Sequence, residues 1–220
     1  MTTPAAAVKV VVRIRPLNAY EQRDGDTPIV RAYSGDDGRQ NRVIVDGQRE
    51  ETFEYATSLS ETANECDVAK AANAQQLVQR VVDGRNATVL AYGQTAAGKT
   101  HTIDGLLPTV IDRIFKATHE GDFETSEVSV SYLEIYNEQV FDLGADRAKR
   151  ELKYNSKLDA FFVDGLLERV AKGAAELNTV RSQGEAASGS RHSEARGRGE
   201  GMTGSEVHLA IMIRKYSIRN

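Results

Sequence analysis

An α/β fold is what this 220-residue sequence predicts, and three observations carry the prediction. Apolar runs rich in β-branched residues at 8–14, 87–92 and 127–136 read as strands. Segments of helical periodicity at 64–82 and 99–118 lie between them, and alternation of this kind implies a sheet with helices on its faces. Between the second strand and the second helix stands Gly93-Gln94-Thr95-Ala96-Ala97-Gly98-Lys99-Thr100, a G-x-x-x-x-G-K-T sequence in the strand-to-helix context of a phosphate-binding loop.

Each element follows from local chemistry. The strand at 8–14 is ended by Arg15-Pro16, since proline has no N–H to continue a ladder. Residues 24–47, rich in Gly, Asp and Arg, read as surface turns and an edge, with a short strand at 42–45. One helix is expected over 64–82, its apolar face built from Val68, Ala72, Leu77, Val78, Val81 and Val82, with Gly84 at the C-terminal cap. In the helix at 99–118, Gly105 and Pro108 predict a break near Leu106. A hairpin centred near Asp159 is expected over 152–170, then a helix at 173–181 with Ala174, Leu177 and Val180 on one face. Residues 182–205, dense in Gly, Ser, Glu and Arg, are expected to form a mobile loop, and 207–213 a last strand. All of this is placed in a single domain, 1–220.

Composition narrows the function. With 40% hydrophobic residues the chain can bury a sizeable core, and no apolar run is long enough to cross a bilayer, so membrane insertion is not expected. A net charge of −4 argues against broad nucleic-acid binding, which needs a basic footprint. The single cysteine, Cys66, cannot close an internal disulfide, and a reducing, cytoplasmic setting is the default. Arg147, Lys149, Arg150, Lys153 and Lys157 form a local basic run, either a solvated surface or a dock for an acidic polymer.

The loop states its own chemistry. Glycine at 93 and 98 allows backbone amides to crowd around an anion, and the following helix adds free N–H groups and its positive dipole end. Lys99 is placed to reach β- and γ-phosphates, and the Thr100 hydroxyl to ligate Mg²⁺.

Several segments in order resemble a kinesin motor domain. They are Val10-Val11-Val12-Arg13-Ile14-Arg15-Pro16-Leu17-Asn18, the stretch from Gly84 through the loop to His101-Thr102, and Ser131-Tyr132-Leu133-Glu134-Ile135-Tyr136-Asn137-Glu138 with Asp142-Leu143. Phe162-Val163-Asp164-Gly165-Leu166-Leu167-Glu168 is a weaker match, and together the matches span about 8–170. The resemblance implies a P-loop NTPase fold with a mixed central sheet and helices on both faces, lacking the family's C-terminal strands and helices. It implies ATP or ADP with Mg²⁺ as cofactors, and microtubule (tubulin) as partner in a cytoskeletal setting. It also implies a purine site at Arg13, Arg15, Pro16, Tyr92 and His101, beside the phosphate contacts of 93–100. The strand 131–138 reads as structural rather than catalytic.

The sequence departs from the family at its two γ-phosphate sensors. An N-x-x-S-S-R-S-H switch aligned on His208 keeps Ser205, a candidate Mg²⁺-side catalytic residue, but places Gly201 at the asparagine and Glu206 at the arginine. A D-x-x-G-x-E switch is absent from the sequence. Three readings follow: an ATP-driven microtubule motor domain, a nucleotide-binding module that does not hydrolyse, and a truncated fragment. Oligomeric state is not legible, because no heptad run is present.

Overall fold

The computed structural model describes residues 8–34, 40–47, 49–94, 96–120, 125–197 and 205–216. The chain divides into two compact units, Met1–Ile114 and Phe115–Asn220.

In the first unit, β1 (Val11–Arg13) is shorter than the apolar run that predicts it. The turn after it is fixed by a capping box: Asn18 Oδ1 accepts from the N–H groups of Tyr20 and Glu21, and the Glu21 carboxylate accepts from Asn18 N–H. This box starts the short α1 (Ala19–Arg23). The region expected as turns and an edge is an antiparallel three-stranded sheet of β2 (Val30–Ser34), β3 (Gln40–Val45) and β4 (Glu51–Glu54). β3 is its centre and buries Val43 and Ile44. Next, β5 (Thr57–Leu59) pairs in parallel with β1, Val12 opposite Ser58.

The single helix expected over 64–82 is two helices, α2 (Glu65–Ala71) and α3 (Ala74–Val82). Asn73 separates them in the left-handed region at φ 53°, a conformation asparagine tolerates better than most residues. Leu59, Val68 and Ala71 form one buried cluster; Ala69, Ala74 and Leu106 form another. Gly84 caps α3 at φ +83°, as its position predicts. The expected strand at 87–92 is not one: residues 85–93 join no ladder, and Leu90 and Tyr92 stand in solvent.

The break expected near Leu106 is also absent. α4 runs unbroken from Lys99 to Glu120 with Pro108 inside it. An interior proline costs about 3 kcal/mol, and the burial of Leu106, Ile111 and Ile114 around it offsets a cost of that size.

The second unit is built on β6 (Thr125–Tyr136), which turns through Asn137 and Glu138, both at positive φ, into β7 (Gln139–Asp142). The next strand, β8 (Ala148–Asn155), pairs with β9 (Ala160–Asp164), and Asp159 at φ 49° marks the expected hairpin tip. Then β10 (Arg169–Ala171) returns to β6. The helix expected at 173–181 extends much further, as α5 (Ala174–Gly197), so helix replaces most of the loop expected over 182–205; 198–204 lie outside the described residues. Leu177, Val180 and Gly184 form the buried stripe of α5, and Gly184 meets Tyr132 of β6. The last strand, β11 (Ser205–Tyr216), pairs antiparallel along all of β6.

Candidate functional site

The phosphate loop is shaped by backbone that only small residues accept. Gly93 is at φ +156°, where a Cβ would lie 3.0 Å from the Ala97 Cβ, and Gly98 is at φ +88°. Ala96 is also left-handed, at φ 66°. The Ala97 N–H donates to Gln94 O at 3.1 Å and closes the turn. Across the loop, the Lys99 ammonium donates to Gly93 O at 2.9 Å and Gln94 O at 3.1 Å, so its charge is held over the concave face. Lys99 and Thr100 open a 22-residue helix whose first-turn N–H groups have no intrahelical acceptor. The Thr100 side chain is exposed. Thr95 lies outside the described residues.

A polar brace ties β1 to this loop. Arg13 Nη1 donates to Thr102 Oγ1 at 3.2 Å, and Thr102 Oγ1 donates to Gly98 O at 2.9 Å. Arg13 Nη1 is 3.7 Å, and Arg15 Cβ 3.9 Å, from where a Cβ on Gly98 would stand. Both arginines of the R-x-R-P motif therefore sit beside the loop, and each already has a guanidinium Nη engaged, while the Arg13 Nε is buried without a partner among the described residues. Arg15 pairs with Glu21 and donates to Pro16 O. The Arg15 hydrogen bond, with a smaller contribution from Asn18 N–H, pulls the Glu21 carboxyl down to about 2. His101 lies one residue past Thr100 with its ring exposed, and Pro16 is exposed as well. Tyr92 is 96% exposed.

A cleft of about 430 Å³ opens beside the brace. Arg13, His101 and Thr102 line it, together with Asn64, Glu65 and Cys66 at the start of α2. Sequence reasoning missed that second group; the only signal was the capping box Asn64-x-x-Asp67, which marks a helix start and no ligand.

The remaining expected residues belong to the second unit. Ser205 begins β11 opposite Tyr136, and Glu206 stands opposite Ile135. Gly201 lies outside the described residues. The basic run is only in part a surface. Arg147 is bound to Glu134, which is 2% exposed, at 2.7 and 3.0 Å. Arg150 is bound to the fully buried Asp142, which also accepts from the N–H groups of Gly144 and Leu167. Two of the five cations thus neutralise buried carboxylates, and Lys153 pairs with Asp164 on the exposed hairpin.

Fold and loop together define a P-loop NTPase. The chain matches the kinesin motor domain family over residues 13–199 and belongs to that family. It is 31% identical to a kinesin-like protein KIN-14E of Oryza sativa subsp. japonica, over 97% of this chain and 20% of that protein. It is 30% identical to a Homo sapiens kinesin-1 heavy chain, over 81% of this chain and 19% of the relative. Among solved structures it is similar to a fast kinesin, with a TM-score of 0.80 and 28% identity, covering 94% of this chain and 59% of that one. The chain therefore spans about a fifth of these curated relatives.

Proposed function

We propose that this chain binds ATP and ADP with Mg²⁺ on the loop 93–100, and serves as the nucleotide-binding part of a microtubule motor. One observation carries the reading: the loop holds a left-handed glycine at each end and the Lys99 ammonium across its mouth, at the head of a long helix. The loop amides and the first turn of α4 would cradle the phosphates, and Lys99 would place its charge against the β- and γ-oxygens. Thr100 offers its hydroxyl to the metal, and Mg²⁺ when bound neutralises phosphate charge. The brace from Arg13 through Thr102 to Gly98 O would keep the loop registered on β1.

Microtubule binding and movement come from membership of the kinesin family together with the cations Lys149 and Lys157, at the ends of the segment that carries the exposed hairpin. A second reading rests on Glu206, a negative charge where the family's switch carries arginine: the chain binds nucleotide without hydrolysing it.

Fluorescent ADP titrated with and without Mg²⁺ tests the site. Lys99→Ala should weaken binding at least about tenfold, since it removes the cation that the loop carbonyls hold in place; unchanged affinity overturns the assignment. ATP turnover measured with and without microtubules separates the two readings. Turnover that rises with microtubules and disappears in Lys99→Ala supports the motor, whereas binding without turnover supports the second reading.

A further inference from the structure

We propose that Thr102 is a positioning residue for the nucleoside half of the ligand: its hydroxyl sets the Arg13 guanidinium, and Arg13 in turn meets the nucleoside. This rests on nucleotide binding at 93–100 and deepens it, because it gives a role to a side chain of α4 that lies beyond the loop motif.

Two cations stand at opposite ends of the loop. The Lys99 ammonium is held by Gly93 O and Gln94 O, at the first glycine. Arg13 Nη1 is 3.7 Å from where a Cβ on Gly98 would stand, so it lies against the last glycine. A nucleoside polyphosphate is a linear ligand, and the lysine of such a loop takes its β- and γ-oxygens. The end left to Arg13 is the nucleoside.

Little else holds the Arg13 guanidinium in place. Among the described residues its Nε is buried without a partner, and its one hydrogen-bond acceptor is the Thr102 hydroxyl, 3.2 Å from Nη1. An arginine side chain has many rotamers, and a bond that fixes one of them before the ligand arrives lowers the ordering cost of binding.

Thr102 is arranged to accept from Arg13. Gly98 O takes the Thr102 N–H at 3.0 Å and also the Thr102 hydroxyl proton at 2.9 Å. A hydroxyl has one proton and two lone pairs. With the proton committed to Gly98 O, only lone pairs are left for Arg13. The carbonyl keeps its backbone donor when the hydroxyl is removed. Loss of the hydroxyl therefore frees Arg13 while the start of α4 stays closed.

The test measures ADP and inorganic tripolyphosphate on the full chain by isothermal titration calorimetry with Mg²⁺. Thr102→Val keeps the shape of the side chain and removes the acceptor. It should weaken ADP about tenfold, the worth of one hydrogen bond to a charged group. Tripolyphosphate, which has no nucleoside, should bind nearly as before, which also shows that the variant folds. Thr102→Ser should restore ADP affinity. Arg13→Met should weaken ADP at least as much, and adding Thr102→Val to it should cost nothing further, since residues that act through one another are not additive. Equal losses for ADP and tripolyphosphate in Thr102→Val would place the action of the hydroxyl on the loop itself and overturn the proposal. Unchanged ADP affinity, no recovery in Thr102→Ser, or additive losses in the double variant would overturn it too. ADP affinity untouched by Arg13→Met overturns the nucleoside contact on which the positioning depends, while leaving the phosphate loop intact. Failure of both ligands to bind the unmodified chain overturns the loop assignment itself, and this proposal with it.

Discussion

Strand β6 and the segment ahead of the phosphate loop lie at opposite extremes of burial. Val128, Val130 and Tyr132 of β6 are 4, 1 and 7% exposed, whereas Val89, Leu90 and Tyr92 are 45, 75 and 96% exposed. β6 is flanked by β11 along its whole length and by β7 and β10 at its two ends. Residues 85–93 join no ladder at all. The difference teaches where structural support lies in this chain: the motif richest in chemistry follows its least consolidated apolar stretch, while the best consolidated strand carries no ligand chemistry. A strand's stability is a property of its neighbours, because backbone groups and side chains are both satisfied across the ladder.

The largest expected effect lies among the ion pairs that flank β6. Asp142→Ala leaves the Arg150 guanidinium, which is partly exposed, without its carboxylate and strips the buried acceptors from the N–H groups of Gly144 and Leu167. Breaking a fully buried pair from one side costs about 3–5 kcal/mol; with Arg150 partly exposed and two backbone donors left unpaired, the loss should be about 3 kcal/mol, and the second unit should unfold at lower urea concentration. A midpoint unchanged in chemical denaturation would mean that this network is not what consolidates the strands. Gly184→Ala comes next, since the added methyl would meet the Tyr132 ring at 2.1 Å. Relief requires α5 to move off β6, and overpacking of this kind costs about 3 kcal/mol at its upper end; near-UV circular dichroism of the tyrosines should change along with the midpoint.

A matched pair of truncations then breaks or confirms the comparison directly. Val130→Ala removes buried methyls from β6 and should cost about 2 kcal/mol through lost burial and the cavity left behind. Leu90→Ala removes more atoms from an exposed position and should stay within about 0.5 kcal/mol. Equal costs for the two in urea denaturation would show that residues 87–92 are packed in solution after all.

How much of this was legible in the sequence follows the same division. The loop, the strand β6, the Gly84 cap and the Asp159 tip were all readable, because each rests on residues whose own backbone preference or period is decisive. Asn73 was not: a helical period runs through it, and only its left-handed φ splits α2 from α3. Pro108 misled in the other direction, since flanking burial kept α4 intact through it. The low-complexity look of 182–197 hid a helix whose buried stripe needs only Leu177, Val180 and a glycine packed against Tyr132. The loop residues were named by motif, but the cleft beside them was invisible because Asn64, Glu65 and Cys66 come next to Arg13, His101 and Thr102 only through tertiary packing. The basic run likewise looked like one surface, although Arg147 and Arg150 are bound to buried carboxylates on the neighbouring strands β6 and β7.

The smallest effect sharpens the comparison by setting an exposed ion pair near the loop against the buried one beside β6. Arg15 and Glu21 form the same kind of pair as Arg150 and Asp142, and the two arginines are equally exposed at 27%, but Glu21 is 25% exposed where Asp142 is fully buried. Hydrogen bonding to Arg15, then to Asn18 N–H, holds the Glu21 carboxyl at about 2 instead of its ordinary 4.5. A carboxyl whose pKa is lowered on folding contributes stability that is complete above its unfolded value and lost as pH falls toward the folded one. The contribution of this pair therefore fades between about pH 4.5 and 2. Because water screens both groups, its size should be small. Glu21→Gln should flatten the pH dependence of the thermal midpoint within that window and leave the midpoint near pH 7 almost unchanged. A large loss at neutral pH, comparable to that of Asp142→Ala, would show that the turn after β1 is consolidated as firmly as the strands of the second unit.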